Sequence, residues 1–484
     1  MSKGVPVVSQ SDRRTPVVLL AGFEGLVTTG VEQMARKLRD TPGTVLVRHD
    51  LSELRQGVVR RAVSYLSPDA GTGHTPGAAG PGAAGSGVVE FGAVEPEAIE
   101  PSEIEPGVIE HNTVHELAHG CVSCTLRANL LPLLCVLAAR DSVRRIVIAL
   151  DPAFEAEAVC HAIEQVPVAG IVGRVDGPAG RDVRIEAVVT GLDARYWLAD
   201  ALTEETLAER GLADAEDDRT VAQLAVGQVE FADAAVVFAA DAVTDTERSR
   251  LAAVLDRLIP QAPVAHVNGP NALSAFGIED LLARIPADSR RGRIFDAHAP
   301  LLRGQPPLDT DAGVTLVEFA TDRPFHPARL HEALDVLFDG VVTARGRIWL
   351  ATQPDEVVWL ESAGGGLRVG GAGRWLAAMT PRESADADPG RRALAALRWD
   401  EHFGDRDISL VVLACDVDPA EIRRALHWAL VDDAELLLAR SAPDLVAQWE
   451  DPFGDWHTDP CADETDADST SSASPTGDRR PTER

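Results

Sequence analysis

Short apolar runs recur through the first half of the chain at 16–21, 44–49, 144–150, 184–191, 234–239 and 262–267. Most are separated by helix-length stretches such as 125–139, 195–210 and 245–258. Runs of this kind fit strands buried on both faces, and their alternation with helices predicts a mostly parallel sheet covered on each side. Beyond Val314 the pattern changes. Strand-like runs at 314–320, 341–350, 356–360 and 408–414 are joined by amphipathic stretches at 326–338, 390–398 and 418–430. They predict a smaller α+β domain. The expected organisation is a flexible 1–14, an α/β domain over 15–284, a Pro/Arg-bearing linker over 285–312, a second domain over 313–445 and an acidic, disordered tail over 446–484.

Between Ser67 and about Glu110 the periodicity collapses. Residues 70–87 are mostly Gly, Ala, Pro and Ser, and acid and proline then repeat through Glu105-Pro106. No core can be built from such a stretch, so it reads as a flexible surface insertion, with an acidic docking strip as the other reading. The 484 residues carry 45 basic and 76 acidic side chains, a formal charge of −31, which weighs against direct nucleic-acid binding. No apolar run is long enough to cross a bilayer, and the polar first residues lead straight into a strand instead of resembling a signal peptide. Six cysteines, only two of them closely spaced, point to a reducing cytoplasm and away from a disulfide scaffold.

The first apolar run opens into Gly22-Phe23-Glu24-Gly25-Leu26-Val27-Thr28-Thr29-Gly30, followed by a helical stretch over 31–38. Strand, glycine loop and helix in this order form the site of a phosphate-binding loop, where backbone N–H groups and the helix start attract anions. A working loop needs lysine and then Ser or Thr. Thr29 can supply the hydroxyl for Mg²⁺, but Thr28 stands in the lysine position and Val27 in that of a glycine. A β-branched residue resists the positive φ that such a position can require. Ordinary strand–turn–helix packing remains the other reading.

A second segment carries chemistry: His115-Glu116-Leu117-Ala118-His119-Gly120-Cys121-Val122-Ser123-Cys124-Thr125-Leu126-Arg127. Cys121 and Cys124 have the spacing that puts two thiolates on one metal, with His115, His119, Glu116 or His111 completing the set. The same spacing at a helix start also suits a redox pair, and incidental cysteines are a third reading. His111, His115 and His119 recur every four residues and would share one face of a helix, as ligands or as a solvated edge. Cys135 and Cys160 fall in apolar helical stretches and read as packing residues.

Glu116-Leu117 through Gly120-Cys121-Val122-Ser123-Cys124-Thr125-Leu126-Arg127 resembles the E-L-x-N-G-C-x-C-C-T-L-R signature of CobW-family P-loop GTPases. Pro324-Phe325-His326-Pro327, Arg345-Gly346-Arg347-Ile348-Trp349, Gly373-Arg374-Trp375, Trp399-Asp400 and Gly404-Asp405-Arg406 look like that family's C-terminal domain. The resemblance implies a P-loop NTPase-like sheet followed by a CobW C-terminal domain. It also implies nucleotide contacts at Gly22, Gly25, Thr28, Thr29, Asp151 and Asp241, and zinc at Cys121, Cys124, His119, His115 and Glu116.

The departures from the family matter as much. The loop lysine is missing, the middle cysteine is Ser123, and the N-K-x-D guanine motif is replaced by Phe238-Ala239-Ala240-Asp241. These changes argue for feeble or absent GTP turnover, because a transferring phosphate loses its main charge stabiliser. Zn²⁺ is the expected ion, and Mg²⁺–GTP the doubtful ligand. The opening 15–22, the run 42–50 and Gly57-Val58-Val59-Arg60-Arg61 are similar to an actinobacterial branch described as ribosome hibernation factor-recruiting GTPases. That likeness implies a zinc-limitation protein bringing a hibernation factor to the small ribosomal subunit. A zinc metallochaperone delivering metal to a client protein is the alternative. If Cys121 and Cys124 are ligands, replacing both with serine lowers bound zinc by about one ion per chain, read by elemental analysis. Unchanged zinc content removes the assignment.

Overall fold

The computed structural model describes residues 12–22, 25–67, 102–103, 105, 107–117, 125–151, 154–213, 217–268, 276–302 and 304–454. The first half contains β1 (Thr15–Ala21), β2 (Thr44–Asp50), β3 (Val58–Leu66), β4 (Ser102–Glu103), β5 (Val108–Glu116) and β6 (Arg145–Ala149). A short separate hairpin, β7 (Pro167–Val168) with β8 (Gly177–Pro178), precedes β9 (Val183–Asp193), β10 (Ala234–Phe238) and β11 (Val264–Val267). Nine of these form one sheet in the order β11-β10-β9-β1-β6-β2-β3-β5-β4. From β11 to β2 every pairing is parallel, as the apolar runs predict. The three remaining strands are antiparallel.

Strand β1 lies mid-sheet with both faces covered, which is why its sequence is a continuous apolar run. Val17, Leu19 and Ala21 pack toward the helices Leu131–Ala138 and Ala156–Gln165. Val18 and Leu20 pack toward α1 (Gly25–Arg39), through Val31, Met34 and Leu38. Helix Leu131–Ala138 is preceded by a π-helical turn, Leu126–Leu130. The expected helix over 195–210 shrinks to Trp197–Asp200, followed by turns and an isolated bridge between Thr206 and Thr220.

The antiparallel flap departs most from the sequence expectation. The insertion was expected to run to about Glu110, yet β4 and β5 have already paired there. Residues 68–101 lie outside the described residues. The ends of the excursion are pinned together, with Ser67 N–H donating to Gly107 O at 2.8 Å. The buried Arg39 guanidinium holds Glu105 at 2.7 Å, and Arg48 holds Glu110 at 2.7 Å.

The second sheet comprises β12 (Val314–Thr321), β13 (Val341–Ile348), β14 (Glu356–Ala363), β15 (Gly366–Arg374) and β16 (Ile408–Cys415). Their order is β12-β16-β13-β14-β15, all antiparallel. Alternation assigns its faces: Val317, Phe319, Leu410 and Val412 turn toward the helices Pro327–Ala333 and Pro419–Trp428. Val314, Leu316, Val411 and Leu413 turn instead toward the first domain, into one apolar cluster with the helices Val221–Glu230 and Asp245–Leu258. The joining segment is strapped to the body, since Arg291 N–H donates to Asp233 at 2.7 Å and Arg250 Nε donates to Ala312 O at 3.1 Å. Packing continues into the expected tail, where Val446 and Phe453 are buried. Residues 455–484 lie outside the described residues.

Gly30, inside α1, sits against the Phe238 ring; a Cβ there would lie 2.3 Å from Phe238 Cζ. Gly30→Ala therefore lowers unfolding stability by about 1–3 kcal/mol through overpacking. A denaturant midpoint equal to that of the unsubstituted chain would show that the ring yields freely.

Candidate functional site

The carboxyl ends of β1, β6, β9 and β10 converge where β1 lies between β6 and β9, the crevice in which open α/β sheets hold ligands. Ala21 passes into Gly22 at φ 146°, and α1 already begins at Gly25. The helix thus takes up the stretch that an open phosphate loop would leave irregular. Val27 avoids positive φ by lying within α1, and its buried side chain turns inward. A Cβ on Gly22 would lie 2.5 Å from Val27 Cγ1, and one on Gly191 would lie 3.0 Å from the same atom. The valine therefore occupies the space directly above the strand ends. Thr28 and Thr29 face solvent.

Asp151 follows β6, and its Oδ2 accepts from Leu51 N–H at 3.2 Å, tying the ends of β6 and β2 together. It does not cap the next helix, whose N-cap position is Glu155. Asp241 is exposed in the turn Ala240–Ala242, entered through Ala239 at φ 55°. Arg248 donates to Ala240 O at 3.0 Å and fixes that turn.

Sequence reasoning passed over the neighbouring wall. A cleft of about 420 Å³ opens beside Val27, bounded by Gly191, Asp193, Arg195, Trp197 and Arg210. The buried Asp193 carboxylate accepts from Arg195 Nε at 2.9 Å and Nη2 at 2.6 Å, and this guanidinium holds its carboxyl below the ordinary range against the upward push of burial. Arg210 is engaged with Asp200 at 2.7 Å and Glu205 at 2.5 Å. Both cleft arginines are thus already neutralised by carboxylates. Asp193-Ala194-Arg195, a lone acid beside a base at a strand end, offers no motif that would have marked it.

Of the cysteine segment, the structure describes His115, Glu116 and Leu117 and the stretch from Thr125 onward. Cys121, Cys124 and His119 lie outside the described residues; His115 and Glu116 end β5. Residues 108–116 are therefore a strand, not the helix that the four-residue histidine spacing suggested. His111 and His115 share a strand face but stand about 13 Å apart along it, too far to hold one ion together. His115 and Glu116, as neighbours on a strand, point to opposite sides. His115 Nε2 lies 3.0 Å from Thr113 Oγ1, and burial, then the Arg61 charge, lowers its pKa to about 4. Behind it His49 is buried, its Nε2 3.0 Å from Asn129 Oδ1, and desolvation likewise lowers it to about 4. Cys135 and Cys415 are buried thiols pushed up to about 11 by desolvation, which suits packing and not reactivity.

Residues 89–266 match the family description CobW/HypB/UreG, nucleotide-binding domain, and residues 314–430 match the cobalamin synthesis protein cobW C-terminal domain. The chain belongs to the CobW family. It is 49% identical over 352 residues to the zinc chaperone Rv0106 of Mycobacterium tuberculosis, covering 73% of this chain and 82% of that protein. It is 25% identical over 350 residues to the zinc-regulated GTPase metalloprotein activator 1 of Dictyostelium discoideum, covering 70% of each. The Zn(II)-bound YjiA GTPase of E. coli aligns over 86% of this chain and 99% of that one, at 13% identity and a TM-score of 0.32.

The family implies two ligands, and the described residues treat them differently. Mg²⁺–GTP is consistent with the family's nucleotide-binding domain, but Thr28 stands where a phosphate-binding lysine would be and Val27 lies within α1. For zinc, the donor chemistry of two thiols and a neutral imidazole is suitable. Among the described residues alone, no group of three His, Cys, Asp or Glu could hold a metal ion. A site of three such donors would therefore include at least one residue outside the described ones, where Cys121, Cys124 and His119 lie.

His49 carries a pH consequence. Its folded pKa lies below the unfolded value near 6.5, so the unfolded chain binds the extra proton first. Stability is full above pH 6.5 and falls as pH drops toward 4, with His49 contributing about 3 kcal/mol across that window. His49→Gln flattens the fall in melting temperature between pH 6.5 and 4; an unaltered slope would show that His49 does not drive it.

Proposed function

We propose that this chain is a zinc-handling protein of the CobW family that works by binding another protein, without GTP turnover as its motor. The observation carrying this reading is the closed glycine loop: α1 begins at Gly25, Val27 fills the cradle, and Thr28 offers no positive charge to a phosphate. Support for zinc comes from relatives named as a zinc chaperone and a zinc-regulated metalloprotein activator. Cys121 and Cys124, with His115 or His119, are the donors that would carry the ion as cargo toward a client protein. Metal held by thiolates can be passed by stepwise ligand exchange, which requires deprotonated donors but no nucleotide.

The recruiter reading, in which the chain brings a ribosome hibernation factor to the small subunit under zinc limitation, is the second. It draws on the same closed loop, since a recruiter needs the fold as a surface and not as an NTPase. The −31 charge favours a basic protein partner through steering.

One experiment separates the two. The full chain, used as bait in zinc-replete and zinc-starved lysates of its source organism, recovers a zinc-dependent enzyme if it is a chaperone. Ribosomal small-subunit proteins together with a hibernation factor, enriched on zinc starvation, would replace that reading with recruitment. In parallel, purified protein with Mg²⁺ hydrolyses GTP no faster than buffer alone. Turnover abolished by Thr29→Ala would overturn the claim that the loop is closed to nucleotide chemistry.

A further inference from the structure

A cavity of about 740 Å³ lies between the two domains, lined by helix Val221–Glu230, the 218–220 stretch and strands β13 to β15. Six carboxylates line it, Glu155, Glu157, Glu204, Asp218, Glu230 and Glu361, against two arginines, Arg219 and Arg368. Arg219 is already committed, to Asp217 at 2.7 Å and Glu155 at 2.6 Å. The cavity therefore carries a negative excess.

One carboxylate in it has an unsatisfied oxygen, and a second has no ion-pair partner among the described residues. Glu230 ends the helix Val221–Glu230, and its side chain is only 7% exposed. One oxygen accepts from Arg345 at 2.7 Å, whereas Oε1 is buried with no hydrogen-bond partner. Glu361 sits on β14, directly opposite Arg345 on β13 and Arg368 on β15. Arg345 reaches across to Glu230, and no ion pair joins either arginine to Glu361 among the described residues. Burial, and then repulsion from Glu230 and Glu157, push the Glu361 carboxyl up to about 7. A positively charged donor placed between Glu230 and Glu361 would satisfy the orphaned oxygen and relieve that repulsion.

The shape of the donor set selects the ligand. No three described acids or histidines are clustered closely enough to hold a metal ion. Spread carboxylates with Thr220 and Gln223 on the same wall suit an organic cation with several N–H donors. We propose that this interdomain cavity binds an ammonium or guanidinium group, delivered by a free aliphatic amine or by a basic side chain, with Glu230 and Glu361 as its acceptors.

The proposal stands independently of the zinc reading. The full chain is titrated calorimetrically with agmatine, with spermidine and, in a separate arm, with the peptide Gly-Arg-Gly-Lys-Gly. One saturable site per chain is expected in at least one arm: the free amines alone indicate a small-molecule source, and the peptide alone a protein source. Glu361→Gln is expected to weaken that binding about tenfold, as for loss of one charge-assisted hydrogen bond. Glu157→Gln, at a half-exposed position, is expected to weaken it less and serves if Glu361→Gln does not fold. Glu401→Gln, an exposed acid outside the cavity, removes the same charge and is expected to change nothing. Absence of saturable binding in every arm overturns the proposal. So does equal weakening by Glu361→Gln, or by the fallback Glu157→Gln, and Glu401→Gln.

Discussion

Helices Val221–Glu230 and Asp245–Leu258 bury their side chains in an apolar cluster that also takes in β10 of the first sheet and β12, β13 and β16 of the second. Each large side chain so buried contributes on the order of 1.5–3 kcal/mol, and removing either helix would uncover two sheets at once. The domains are consequently set in a fixed relation by shared core and not by a tether. Everything polar at their junction depends on that relation. Glu230 is placed at the junction because its helix is clamped, and Arg345 can cross from the second sheet only because the distance is set.

Around Val27, side-chain packing and ligand binding draw on the same space. In an open loop, backbone amides stay free to face phosphate. Here Val27 lies within α1 and packs close to Gly22 and Gly191, with the Phe238 ring also against Gly191. Packing and ligand binding compete for the same volume, and packing occupies it. The adjacent Asp193–Arg195 and Arg210–Asp200 pairs complete the effect, because cations that might answer an anion are already answered.

Much of the parallel sheet could be read directly. β1 and β10 are buried on both faces and read as uninterrupted apolar runs, and the buried stretches of β2, β6 and β9 do so away from Arg48, Arg145, Arg184 and Glu186 near their ends. Strands β3 and β5 escaped notice for the opposite reason: each has an open side, and charges such as Arg60, Arg61, Glu110 and His111 break the run. Helix Val221–Glu230 was also obscure, being apolar nearly all round because both of its sides are covered. At the site, the place of the glycine loop was legible but its state was not. That depended on whether Val27 would take loop or helix, and in the structure it lies within α1 and packs against Gly22. Asp193 and Glu361 carried no motif: Asp193 pairs with Arg195 two residues on, and Glu361 faces Arg345 and Arg368 only once the neighbouring strands have paired.

The join between Ser67 and Gly107 separates two kinds of freedom. Where β3 and β5 pair up to Ser67 and Gly107, with Arg39 and Arg48 holding the returning arm, the frame does not register how much polymer lies between. Closing a longer loop costs little more, about 0.6 kcal/mol per doubling of its length. Related chains are therefore free to drift in size at this point while the strand leading to the cysteines keeps its register. Length can evolve here on a different clock from structure.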